Sequence, residues 1–408
     1  MPGVDGSRLV VKENTAEKEK DHCDLSIDAP KFNYFTQRIA GFDPAWFSTV
    51  MGVGICGNLL REFPYQARWI NGLSYAFWGV ATVDFIMLIA SLFSMMYLYP
   101  RRLLKLCHNE RAVFWGCLPM GLATVTTFII INWGDRAWVA AYAIYWIDTI
   151  LSYVSALLVM YIYIHFGSER KMNTLTPALL LPTVALVVVS SLGGAIVPHM
   201  PQHLRGTVLI MSFIAWGAGQ VTALMIIGAF IIRWYLHGKL PKASRLSMFI
   251  ACGPCGQGSF SIQINALNLA QYLQDRVYPA LSIDDSASIA SKIVIEYIGY
   301  ALGMTFFALG LSFLFWSTLA VASGHPKTFS LSWWGLTFPL GTMALASTHL
   351  SVQLDSTAWK ILSCIFIVCV IFITTTLTVI TVFFGYFKSQ LHQVPTADLP
   401  LLQRRRSN

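Results

Sequence analysis

The amino-acid sequence predicts an all-α polytopic membrane protein, with ten transmembrane helices paired as five hairpins. Three observations predict it. The chain has 408 residues, 55% hydrophobic and only 12% charged, about half the charge of a typical soluble chain. Uncharged runs such as Thr207 to Ile232 and Ile361 to Phe387 exceed the roughly 20 residues that a helix needs to cross a hydrocarbon core. The loops between successive apolar runs are short, so neighbouring runs pair as antiparallel hairpins in one domain.

Taken in order, the spans are expected at 44–61, 73–99, 113–132, 137–166, 177–197, 207–236, 247–272, 288–321, 331–350 and 359–387. They make up a membrane domain over residues 41–388. Residues 1–40, polar and mixed in charge, read as a solvated N-terminal tail; residues 389–408 form a C-terminal tail. Lys and Arg follow the even-numbered spans: Arg101, Arg102, Lys105 and Arg111 after span two, Arg170 and Lys171 after span four, Lys239, Lys242 and Arg245 after span six, and Arg404 to Arg406 in the tail. Positive residues gather in cytoplasmic loops, so both termini are expected in the cytoplasm. The net charge of +8 belongs to that side and to the lipid surface it meets. It is no nucleic-acid footprint.

The odd-numbered spans carry a second pattern. Pro119, Pro182, Pro254 and Pro339 lie inside spans three, five, seven and nine, whereas no even-numbered span holds an interior proline. Three of them begin a Pro-x-Gly triplet: Pro119-Met120-Gly121, Pro254-Cys255-Gly256 and Pro339-Leu340-Gly341. Span five adds Gly193 and Gly194, and span one has Gly52, Gly54 and Gly57. Proline removes a helical donor and clashes with the carbonyl four residues back. Broken helices at membrane depth are expected only where protein covers them or they line a water-filled cavity. The odd spans are therefore expected as a kinked inner ring and the even spans as a straight outer ring.

Pro339 frees the carbonyl of Gly335, and Pro254 that of Ile250. Each helical half beyond a break begins with unused N–H groups and a partly positive end, which favours anions. All odd spans run in one direction, so five such ends point at one axis. Kinks and small residues at Gly52, Gly54, Pro119, Gly121, Pro182, Pro254, Gly256, Gly258, Pro339 and Gly341 are the expected lining. Thr49, Thr124, Ser190, Gln257, Ser259 and Thr342 are its polar candidates. Phe338 is the candidate gate, since a bulky aromatic occludes a pore of small residues and apolar constrictions gate by dewetting. Asp84, Asp148 and Glu296 lie in apolar surroundings, where an ionisable group marks function by default. Of these, Asp148 is the candidate proton-linked site if transport is coupled.

Other classes are excluded or left without a motif. There is no H-E-x-x-H, no G-x-S-x-G and no intramembrane histidine pair, so no catalytic residue, metal or cofactor is expected. Cys252 and Cys255 form a lone C-x-x-C with no second pair, and packing is their expected role. A sensor of the seven-helix type does not fit ten spans.

At these residues a resemblance appears. The stretches "FDPAWFSTVMGVGICGNLLREFPYQARW" (Phe42 to Trp69), "VFWGCLPMGLAT" (Val113 to Thr124), "YWIDTILS" (Tyr145 to Ser152), "CGPCGQGSF" (Cys252 to Phe260) and "WWGLTFPLGTMALAS" (Trp333 to Ser347) resemble the tellurite-resistance/C4-dicarboxylate transporter and slow anion channel superfamily. Within it they are most similar to the fungal sulfite-efflux permeases. Cys255 departs from them, standing where those permeases more often have methionine. The resemblance implies ten helices in five hairpins with quasi-fivefold symmetry, a central pore, and a plugging phenylalanine at the position of Phe338. It also implies a homo-trimer with one pore per subunit, and export of sulfite or bisulfite at the plasma membrane. Malate or another C4 dicarboxylate is the alternative cargo. The absence of extra fixed positive charge along the odd spans favours a small monovalent anion.

Overall fold

A computed structural model of the chain describes residues 39–167, 171–281 and 283–387, and every secondary-structure element among them is helical. The longer helices are α1 (Phe47–Arg61), α2 (Arg68–Leu98), α3 (Cys117–Trp133), α4 (Trp138–Phe166), α5 (Leu181–Ile196), α6 (Gln202–His237), α7 (Cys252–Tyr272), α8 (Asp285–Ala322), α9 (Thr337–Gln353) and α10 (Thr357–Thr381). The expected tails lie outside the described residues, apart from the buried Ile39 and Ala40.

Among the described residues, seven helical stretches are long and apolar enough to cross a membrane: α2, Glu110–Arg136 around α3, α4, Pro177–His199 around α5, α6, α8 and Thr357–Phe384 around α10. Among the ten expected spans, those of α1, α7 and α9 fall short of that measure. Burial gives the reason. α1 has 15 residues and α9 has 17, and both are buried at nearly every position. α7 carries Gln257, Ser259, Ser261, Gln263, Asn265 and Asn268, all buried. A helix wrapped by protein needs neither the length nor the apolarity that lipid demands. By contrast α2, α4, α6, α8 and α10 expose large apolar side chains such as Phe93, Ile150, Met225, Phe315 and Phe372.

The buried helices form a closed ring. α1 packs on α3, α3 on α5, α5 on α7, α7 on α9, and α9 back on α1. Each also packs on the helix that follows it in the chain, α1 with α2 through to α9 with α10. Close approach at α7–α9 requires glycine at 256, where a Cβ would stand 2.6 Å from the backbone nitrogen of Met343.

Every ring helix is preceded by a 3₁₀ turn: Pro44–Trp46, Glu110–Gly116, Pro177–Leu180, Lys242–Ala251 and Leu331–Leu336. The expected mid-span kinks take this form. Pro119, Pro182, Pro254 and Pro339 each fall in the first turn of the α segment, where the missing N–H has no intrahelical acceptor anyway. The winding thus changes from 3₁₀ to α one to three residues before each proline. The lead-in turns are tied together. Asp43 accepts from the Ala45 N–H (2.9 Å) and pairs with Arg111 (3.3 Å). Buried Arg245 donates to the carbonyls of Leu240 (3.0 Å) and Gly324 (2.9 Å).

Candidate functional site

The first α turns of all five ring helices, with the lead-in turns of α3, α5, α7 and α9, surround one cavity of about 70 Å³. The last lining residue along each ring helix is Met51, Met120, Val184, Gly253 and, on α9, Pro339 beside Phe338. Ile250 and Gly335, four residues before Pro254 and Pro339, also line it. The wall is almost wholly apolar. Its hydroxyls are engaged: Ser48 donates to the Ala45 carbonyl and Ser247 to that of Ser244, each at 2.6 Å, and Ser332 meets the Ser330 hydroxyl at 2.6 Å. Phe338 is 4% exposed and is part of the cavity wall. The cavity offers weakly positive helix starts and apolar side chains, and no Lys or Arg is among its lining residues.

Among the polar candidates, Gln257 has an unsatisfied atom. Its Nε2 donates to Ser191 Oγ (2.5 Å), while its Oε1 is buried without a partner among the described residues. It lies one turn beyond Gly253 on α7. The other five join helix to helix, and none of the six is a lining residue of the cavity. Thr49 donates to Asp84 (2.5 Å) in a lateral groove between α1, α2 and α10. Thr124 donates to the Gly121 carbonyl (2.8 Å) and lies against Gly54. Ser190 accepts from Ser261 (2.9 Å) and Asn265 (3.0 Å). Ser259 donates to the Gly303 carbonyl of α8 (2.6 Å). Thr342 donates to the Pro339 carbonyl (2.8 Å) and abuts Gly256.

The glycines serve the ring contacts. Gly52 faces Trp334 and Thr337, Gly121 faces Val50, and Gly341 faces Ile55. Gly258 lies under Gln220 of α6. Pro119 borders an outer groove with Leu92, Leu151 and Ser155. Pro182 lies against Gly116. Asp148 is 1% exposed, and neither carboxyl oxygen has a hydrogen-bond partner among the described residues. It shares a face of α4 with Tyr145, which meets Ser212 (3.4 Å), and Ser152, which donates to Ala185 (3.3 Å). That face lies behind α5, away from the cavity. Glu296 lies on α8, outside the ring.

His349 of α9, a lone histidine in the ring, packs edge-on against Phe260 of α7 at 4.7 Å. The signal was its distance of eleven residues from Phe338 on one helix. No group of three or more His, Cys, Asp or Glu side chains able to hold a metal occurs among the described residues. Cys252 donates to the Gly310 carbonyl (3.7 Å), and the C-x-x-C thiols are buried and free.

Comparison with known proteins bears on this geometry. The profile of the SLAC1 family, described as voltage-dependent anion channel, matches residues 41–382. The sulfite efflux pump SSU1 of Arthroderma otae is 29% identical over 81% of this chain and 88% of its own length. The protein of the same name from Candida albicans is 29% identical over 86% and 75%, and that from Saccharomyces cerevisiae 25% identical over 88% and 90%.

Proposed function

Because the chain belongs to the SLAC1 family of voltage-dependent anion channels, we propose that it exports sulfite, as the bisulfite monoanion, along the axis of the α1–α3–α5–α7–α9 ring. Phe338 is the gate. The observation that supports this reading is the cavity shared by all five ring helices, with Phe338 in its wall. Relatives named sulfite efflux pumps, matched over most of their length, support the cargo. The lack of Lys and Arg on four of the ring helices suits one negative charge better than the two of a dicarboxylate.

The same reading includes all ten helices as membrane spans, in five hairpins with quasi-fivefold symmetry, and the cavity opening to the cytoplasm with both chain termini. The protein then resides in the plasma membrane as a trimer with one pore per subunit. The chemistry asked of the protein is small. Five helix starts lower the electrostatic cost of bringing an anion into an apolar throat. The aromatic side chain keeps the throat dry until it turns aside.

Flux of labelled sulfite and labelled malate into proteoliposomes tests the proposal, with wild type beside Phe338→Ala. Sulfite is expected to pass and malate to be excluded, and the variant is expected to leak sulfite at least about tenfold faster, the factor for ~1.4 kcal/mol off a barrier. Equal flux in the two proteins removes Phe338 as the gate. Malate passing in place of sulfite removes the cargo.

A further inference from the structure

A cavity larger than the axial one opens on the flank of the bundle. The groove between α1, α2 and α10 encloses about 480 Å³, within the roughly 300–1,000 Å³ of pockets that hold a drug-sized ligand. Its rim is apolar and turned outward: Val80, Val83 and Met87 of α2 and Val382 after α10 are all exposed. Both helices are long and apolar enough to cross a membrane, so the groove faces hydrocarbon. A molecule that enters it from there carries an apolar body.

Inside, the groove holds one charged group. Asp84, midway along α2, is half-buried there, and Thr49 donates to its Oδ2 (2.5 Å). No Lys, Arg or His lines the groove, and no cation pairs with Asp84 among the described residues. The neighbouring polar groups are engaged: Thr378 donates to the Thr374 carbonyl (2.8 Å), and the Trp334 indole N–H donates to Thr381 (2.9 Å). An ionisable group at membrane depth is costly without a partner. A carboxylate in an apolar groove also repels anions, so the groove is no branch of the anion path. What it fits is a positive charge on an apolar body.

The groove also touches the axis. Trp334 lines both it and the axial cavity, four residues before Phe338. Its side chain is 2% exposed and rests on Gly52 of α1, where a Cβ would stand 2.9 Å from the ring.

We propose that this groove is an effector site for a single-chain amphiphilic amine drawn from the membrane. The ammonium donates to the Asp84 carboxylate, and the chain lies along Val80, Val83 and Met87. Because Trp334 borders both spaces, an occupant takes the free volume into which its indole could yield. The axial cavity then loses freedom to widen, and anion passage slows. That last step rests on the anion-pathway reading; the binding step does not.

The probe is tritiated dodecylamine, offered to the full chain in phosphatidylcholine nanodiscs, with empty nanodiscs as the blank. Saturable binding is expected. Dodecanol, with the same chain and no charge, should compete about thirtyfold less well, the factor for losing one member of a buried charge pair. Asp84→Asn keeps the shape and an acceptor for Thr49, and should weaken the amine about as much. Gly79→Phe fills the groove from a position whose Cβ would meet nothing within 4 Å, so it should abolish binding in a folded protein. Uptake that never saturates, equal competition by dodecanol, or full binding in either variant overturns the site. So does disulfide cross-linking of Val83→Cys between two copies of the chain with no amine bound, since the groove is then an interface. Flux of sulfite and of nitrate into proteoliposomes, less that into protein-free vesicles, reads the second step. Saturating dodecylamine should slow wild type at least about fivefold, the factor for ~1 kcal/mol on a barrier, and leave Asp84→Asn unchanged. Amine bound with flux unchanged overturns the effector role. Nitrate passing and slowed while sulfite does not pass sinks the cargo alone. No flux of either anion sinks the pathway and the effector role together, and leaves the amine site standing.

Discussion

α5 and α8 are both apolar and both long enough to span a bilayer with their flanking turns, yet they are built for different solvents. α5 is buried at 15 of 16 positions, so protein surrounds it on every side. α8 is buried at eight of 38. Those positions include Gly299 and Gly303, which face α7, Gly310, which meets α9 and α7, and Phe307, which packs on Trp359 and Phe366 of α10. The rest of α8 presents Ile289, Tyr297, Phe315 and Leu319 outward. Ring helices satisfy their geometry through near contacts on all faces, and the peripheral ones through a single seam. Substitutions should therefore hurt in proportion to how many sides of a helix are engaged, and that proportion can be measured.

The largest contrast is expected between two glycines. At Gly256 a Cβ would stand 2.6 Å from a backbone nitrogen and 2.7 Å from a backbone carbon of α9, so no rotamer can relieve it. Gly256→Ala should cost about 3 kcal/mol or more by forcing two helices apart. Gly228, on α6, has nothing within 4 Å of the same point. Gly228→Ala should be neutral or stabilise by ~0.5 kcal/mol, through lost backbone freedom in the unfolded chain. Thermal unfolding in detergent, read by the loss of monodisperse protein, compares the two. Equal midpoints would break the distinction between ring and periphery.

A smaller contrast concerns the arginine and lysine that close loops. Arg245 is 9% exposed and donates to Leu240, Gly324 and Ser323, so it joins the lead-in of α7 to the end of α8. Arg245→Ala leaves two carbonyls without that donor and should cost about 2–3 kcal/mol. Lys360 pairs with Asp355, which is exposed, and Lys360→Ala should cost under ~0.5 kcal/mol. If the two variants melt together, the lead-in turns do not hold the ring.

Much of this division was legible in the sequence. Proline and glycine mark α3, α5, α7 and α9, and those helices, with α1, are the buried ones. The pattern reports burial because only protein-covered helices tolerate interrupted backbones. The facing of individual hydroxyls was not legible. Thr49, Thr124 and Thr342 satisfy themselves on carbonyls three residues back, as serine and threonine do in helices. Which neighbour each then meets depends on the order of the ring. Spacing also placed the prolines mid-span, because a 3₁₀ lead-in and an α segment read alike as one apolar run. His349 escaped because a lone histidine is weighed only when a phase reference such as Phe338 is available.

The smallest expected effect concerns Asp148, the acid that sequence reasoning marked for proton coupling. Its carboxyl is buried behind α5 with no hydrogen bond among the described residues, on a face that joins α4 to α5 and α6 rather than to the axis. Asp148→Asn preserves the shape and breaks no bond, so stability should change by less than ~1 kcal/mol. Because the side chain does not border the cavity, sulfite flux and its dependence on pH should match wild type. A flux profile that flattens in this variant would place proton sensing on the periphery. The ring would then act as a passive conduit governed from outside.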